Sequence, residues 1–137
     1  MLVPKKQKFR KAHKGRVPEK SKSRTTLSFG SFGLKSIDKE RITARQIESA
    51  RRAAVRNMKR KGKFFIRLFP DLPVSKKPNE VRMGKGKGGV EYYASRVSPG
   101  CIMFEVEGVD ESSSIQSLQL AAAKLPVRTK IVRSYDE

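Results

Sequence analysis

Thr43-Ala44-Arg45-Gln46-Ile47-Glu48-Ser49-Ala50-Arg51-Arg52-Ala53-Ala54-Val55-Arg56-Asn57-Met58-Lys59-Arg60-Lys61, then Gly62, then Lys63-Phe64-Phe65-Ile66-Arg67-Leu68-Phe69-Pro70, changes hydrophobic period in mid-course. In the first part Ile47, Ala50, Ala54 and Met58 recur at i, i+3, i+7 and i+11, one apolar face of a helix. Thr43 and Gln46 have the spacing of a capping box, and Gly62 suits the residue after a helix end, so the pattern predicts a helix over 43–61. In the second part the period falls to two: Phe64, Ile66 and Leu68 on one face, Phe65, Arg67 and Phe69 on the other. Both faces are largely apolar, which predicts a central or sandwiched strand ended by Pro70.

Outward from there, residues 26–35 predict a strand bending at Gly30 and Gly33. Residues 71–80 read as a Pro-punctuated loop. Residues 90–97 and 101–107 read as a hairpin around Ser98-Pro99-Gly100. A second helix is expected over 113–125, with Ser113 and Gln116 as its capping box, Glu111 near its N-terminus and Pro126 as its stop. A strand over 127–133 closes the chain. Two helices with strand hairpins mostly adjacent predict an α+β fold: a largely antiparallel sheet sandwich, two helices packed on one side, and an extended basic N-terminal arm.

The charge is the loudest signal. The 137 residues hold 32 Lys/Arg against 13 Asp/Glu, a formal charge of +19. Residues 1–67 hold 22 basic and 4 acidic side chains, and residues 68–137 hold 10 and 9. The footprint of a polyanion partner therefore lies in one half of the chain. The first 24 residues carry ten Lys/Arg with Glu19 as the single acid, and no apolar period. They are expected to be a basic arm (1–24), mobile alone and ordered by a polyanion, ahead of one globular α+β domain (25–137). At 36% hydrophobic residues the core is small. No stretch approaches the ~18 apolar residues of a membrane span. The opening residues lack the apolar region of a secretory signal. One cysteine, Cys101, excludes a disulfide framework and a multi-Cys zinc site.

Arg82-Met83-Gly84-Lys85-Gly86-Lys87-Gly88-Gly89 formally contains G-x-G-x-x-G. It precedes a strand-like Val90-Glu91-Tyr92-Tyr93 and opens no helix, so it is not a dinucleotide fingerprint, and without G-K-[ST] it is not a Walker loop. It reads as a cationic loop (82–89) whose glycines admit a phosphate chain, or, more plainly, as a solvated hairpin loop. Catalysis finds little support, since His13 lies in the arm and Cys101 in a strand pattern. Glu105, Glu107, Asp110 and Glu111 are a solvated edge before they are a metal site. Tyr92, Tyr93, Phe29 and Phe32 could stack on bases, though core is the commoner reading. A DNA-reading module would need a recognition helix aimed at bases, whereas charge spread over arm, helix and loop suits an irregular RNA surface. A nucleotide-modifying enzyme would need acid/base groups that are not evident.

Several stretches in order are similar to one family: Pro4 through Arg16, Phe29 through Lys35, Thr43 through Glu48 into Ala50-Arg51-Arg52-Ala53, Gly62-Lys63 with Ile66-Arg67 and Phe69-Pro70, Arg82 through Gly88, and Leu120 through Pro126. The chain resembles the large-subunit ribosomal proteins of the bacterial L sixteen and universal L ten-e family. It departs at Phe65 and Tyr93, where that family often has Trp, and residues 17–24 do not follow the pattern. The resemblance implies binding to large-subunit (23S) rRNA through Lys5, Lys6, Lys8, Arg10, Lys11, His13, Lys14, Arg16, Lys35, Arg45, Arg51, Arg52, Arg56, Lys59 and Arg60. It implies a loop of Arg82, Met83, Gly84, Lys85, Gly86, Lys87 and Gly88 near the tRNA acceptor end and the peptidyl-transferase region. That loop would help position aminoacyl-tRNA in the A site, with the P site left open. Implied partners are rRNA, tRNA and neighbouring ribosomal proteins, with no cofactor, metal, membrane, small-molecule substrate or catalytic residue. The implied location is the cytoplasmic ribosome, an organelle-encoded ribosome being the alternative.

Overall fold

The computed structural model describes residues 2–4, 25–75 and 90–134. Within them run β1 (Phe32–Ser36), β2 (Glu40–Thr43), α1 (Ala44–Met58), β3 (Lys63–Ile66), β4 (Leu72–Ser75), β5 (Val90–Val97), β6 (Ile102–Glu107), α2 (Glu111–Ala122) and β7 (Thr129–Arg133). The strands form two antiparallel sheets, ordered β3-β6-β1-β7 and β2-β5-β4. The fold is α+β, as expected. The arm beyond Pro4 and the cationic loop lie outside the described residues.

The expected hairpin of residues 90–97 and 101–107 does not form. β5 and β6 belong to different sheets. The Pro-Gly segment between them is a corner, captured by the end of β1: Gly100 N–H donates to Ser36 C=O (2.8 Å) and Ser36 N–H to Cys101 C=O (2.9 Å). The reason lies in burial. Every residue from Ile102 to Val106 is buried, so β6 must be covered on both faces and paired on both edges, by β1 and β3. β2 and β4 were not anticipated. β2 has one apolar side chain, Ile42, and β4 carries Pro73, which an edge strand tolerates. The strand expected over 26–35 forms only from Phe32 and runs to Ser36 as β1, and residues 25–31 run instead as an irregular strap.

The helix boundaries also move. The Thr43 capping box is present in both directions: Gln46 N–H donates to Thr43 Oγ1 (3.1 Å) and Thr43 N–H to Gln46 Oε1 (2.9 Å). But α1 stops at Met58, its last buried residue, and Lys59 (φ 53°), Arg60 (φ 66°) and Gly62 (φ 71°) turn the chain through left-handed conformations. Gly62 is required there, because a Cβ would stand 2.5 Å from the Glu107 carbonyl oxygen. For α2 the cap is Asp110, which accepts from Ser113 N–H and Ser112 Oγ, so the helix begins at Glu111 rather than 113. β7 begins at Thr129 rather than 127.

α1 and α2 pack on each other and on one face of the four-stranded sheet. Phe32, Leu34, Phe104 and Val106 of the sheet, Ile47, Ala50, Ala54 and Met58 of α1, and Leu118 and Ala121 of α2 make one core, joined by Ile42 and Val97 from the second sheet. Leu2 packs against the same core. The opposite sheet face is crossed by the strap 25–31.

Candidate nucleic-acid interface

The buried stripe of α1 fixes what its other side presents. With Ala44, Ile47, Ala50, Ala54 and Met58 inward, Arg45, Ser49, Arg52 and Arg56 face solvent. Together with Glu48, Ala53 and Lys124, in the turn just past α2, they line an open cleft of about 560 Å³. Glu48 is the one acid of this helix. Arg51 donates to it from Nε (3.1 Å) and Nη2 (2.6 Å), and Arg52 from Nε (3.1 Å). The Arg51 hydrogen bonds hold the Glu48 carboxyl down at about 2 against the opposing cost of burial, with help from Arg52. The helix's one negative charge is thus consumed internally. Arg45 and Arg56 have no carboxylate partner among the described residues, so the cleft is a concave cationic surface suited to a phosphate backbone.

The remaining expected residues divide. Lys59 and Arg60 are exposed in the left-handed turn after α1, continuous with this surface. Arg51 is turned toward Glu48 and serves the helix as much as a ligand. Lys35 stands apart from α1, on the strap side of the sheet, directly opposite Lys130 of β7. Lys5, Lys6, Lys8, Arg10, Lys11, His13, Lys14, Arg16 and the loop residues 82–88 lie outside the described residues. Lys124 and Lys130 were missed by sequence reasoning. Lys124 reaches the cleft through helix packing, and Lys130 meets Lys35 through strand register. Neither relation has a local signal.

The acids of the strand edge and turn have structural work. Glu105, fully buried, accepts on Oε1 from three successive N–H groups of the strap: Ser28 (2.9 Å), Phe29 (2.9 Å) and Gly30 (3.0 Å). Its Oε2 is 3.2 Å from Arg67 Nη1, which also donates to Thr26 C=O (2.6 Å). Asp110 caps α2, Glu111 pairs with Arg133 (2.9 Å), and Glu107 accepts from Ser31 Oγ. Among the described residues no cluster could hold a metal ion, and no helix is long and apolar enough to cross a membrane. Cys101 is buried.

Comparison with known proteins decides the family. Residues 4–132 match the family described as ribosomal protein L16p/L10e. The chain belongs to that family. Among its relatives is the large ribosomal subunit protein uL16 of Rickettsia bellii, 71% identical over 99% of this chain and 100% of the relative. The proteins of the same name from Rickettsia felis and Rickettsia typhi are 70% and 69% identical over the same shares. The L16p/L10e family is a family of ribosomal structural proteins, not enzymes.

Proposed function

We propose that this chain, a structural constituent of the large ribosomal subunit on the cytoplasmic ribosome, docks on large-subunit rRNA through the α1 cleft and uses the loop 82–88 toward tRNA. The observation that carries the docking reading is the cleft itself. Arg45, Arg52, Arg56 and Lys124 converge from two helices around a carboxylate already occupied by arginines. Arg52 also pairs with Glu48 and Arg56 also suits the α1 C-terminus, but the summed positive charge exceeds the one carboxylate there, and a phosphate backbone would neutralise the excess. The basic segment 5–24 would extend the same electrostatic footprint. The loop has fewer charges (Arg82, Lys85, Lys87) but three glycines (Gly84, Gly86, Gly88), so it suits close approach to a nucleic-acid backbone more than anchoring. On this division the loop serves aminoacyl-tRNA positioning near the acceptor end.

The experiment is reconstitution of large subunits with two variants. Arg45→Ala/Arg52→Ala/Arg56→Ala should incorporate poorly. Lys85→Ala/Lys87→Ala should incorporate at normal stoichiometry yet slow aminoacyl-tRNA accommodation. Normal incorporation of the α1 variant removes the docking role. Normal tRNA rates with the loop variant remove the tRNA role.

A further inference from the structure

The sheet face opposite the helices carries an aromatic side chain that the core does not use. Phe32 is buried, at 8% exposure, but Phe29 is 59% exposed. Its backbone is nonetheless fixed, because the N–H groups of Ser28, Phe29 and Gly30 all end on the buried Glu105 carboxylate. Gly30 lies so close to β6 that an added Cβ would meet the Val106 carbonyl oxygen at 2.6 Å. One side of the Phe29 ring stacks on Phe65 (centroids 5.4 Å apart, planes at 27°), and the Arg67 guanidinium lies 5.8 Å from its centroid. Folding thus anchors the backbone of Phe29 while leaving more than half of the residue in solvent.

The charges on that face suggest what covers it. Lys63, Phe65 and Arg67 follow at two-residue spacing along β3 and the residue after it, just past the basic turn Lys59-Arg60-Lys61. Across the same sheet Lys35 and Lys130 sit directly opposite each other in the β1–β7 pairing, a like-charge pair that disfavours the free fold. The acids of the face are engaged: Glu105 by the strap and Arg67, and Glu107, opposite Lys63 in the β3–β6 pairing, by Ser31 Oγ and Gly108 N–H. A ring more than half exposed, beside Arg67 and on a sheet face that also carries Lys63, Lys35 and Lys130, suits a group that is flat and aromatic and carries phosphate. An apolar protein partner would leave Lys35 and Lys130 unneutralised.

We propose that Phe29, backed by Phe65 and Arg67, is a stacking site for one unpaired base of large-subunit rRNA, with Lys63, Lys35 and Lys130 attracting its flanking phosphates. The inference rests on the rRNA-docking reading above, but uses the opposite side of the molecule from α1. Stacking on aromatic side chains is how proteins read splayed-out RNA bases, at about 1–3 kcal/mol per base, or roughly 5- to 150-fold in affinity.

The test is binding of the full chain to protein-free 23S rRNA across a salt series. Phe29→Ala and Phe29→Leu leave the Glu105 hydrogen bonds intact, since those use backbone N–H groups, and thermal melts verify the fold. Both should weaken binding by about 5- to 150-fold with the salt slope unchanged, because no phosphate contact is lost. Phe29→Tyr should bind like the parent. The chain contains no Trp, so Phe29→Trp introduces a single fluorescent reporter, and saturating rRNA should quench it. Leu or Ala variants that bind as tightly as the parent, or indole emission from the Phe29→Trp variant that stays unquenched in the bound state, would overturn the stacking site and assign Phe29 to a protein neighbour. Failure of the parent chain to bind rRNA at all would overturn the docking reading, and this inference with it.

Discussion

Glu105 shows how much one side chain can organise. It is buried, carries a charge, and satisfies it with three strap N–H groups and Arg67, itself only 12% exposed. Removing one partner of such a pair leaves the other charge without compensation. Glu105→Ala should therefore cost about 3–5 kcal/mol in urea unfolding, whereas Glu105→Gln, which keeps an acceptor for the strap, should cost less. Glu48 makes a different prediction. Its carboxyl is held at about 2, below the ordinary 4.5, chiefly by Arg51. A depressed carboxylate contributes stability above its unfolded value and loses it as pH falls through the folded one. The stability difference between the parent and Glu48→Gln should be constant above pH ~5 and vanish as the pH drops from about 4.5 to about 2. A difference that persists at pH 2 would mean that Glu48 acts by packing rather than charge.

At the scale of elements, α1 was the most legible part of the sequence. Its cap, apolar face and basic face are all encoded within its own residues, and Thr43→Ala should cost about 1 kcal/mol in a denaturant melt. Less was legible where pairing is remote. The segments 90–97 and 101–107 looked like a hairpin because the Ser98-Pro99-Gly100 turn is local, while the partners that outcompete it, β1 and β3, lie far back along the chain. β4 hid behind Pro73, and the strap hid because three of its successive N–H groups run to the remote Glu105 side chain rather than into a strand ladder. The same asymmetry governs the site. Arg45, Arg52 and Arg56 follow from helical spacing, whereas Lys124 and Lys130 enter only through tertiary packing and register.

For the molecule as a whole, a charge of +19 on 137 residues is a liability in isolation. Self-repulsion destabilises the compact state and salt screens it, so the free protein should melt at a higher temperature in about 0.5 M than in about 0.05 M salt. A melt indifferent to salt would mean that ion pairs such as those of Glu48 and Glu105 already balance the field. On the proposed docking, the charge has its use in the subunit, where rRNA would supply the counter-charge. The most direct measurement of that claim is the slope of log affinity against log salt for 23S rRNA, compared between the parent chain and Arg45→Ala/Arg52→Ala/Arg56→Ala. Each lost phosphate contact should flatten the slope by about 0.9 by the duplex rule, so the triple variant should be flatter by about 2–3 with its melting temperature little changed. Parallel slopes for the two proteins would contradict the account, because the α1 cleft would then release no counterions on binding and could not be the docking surface.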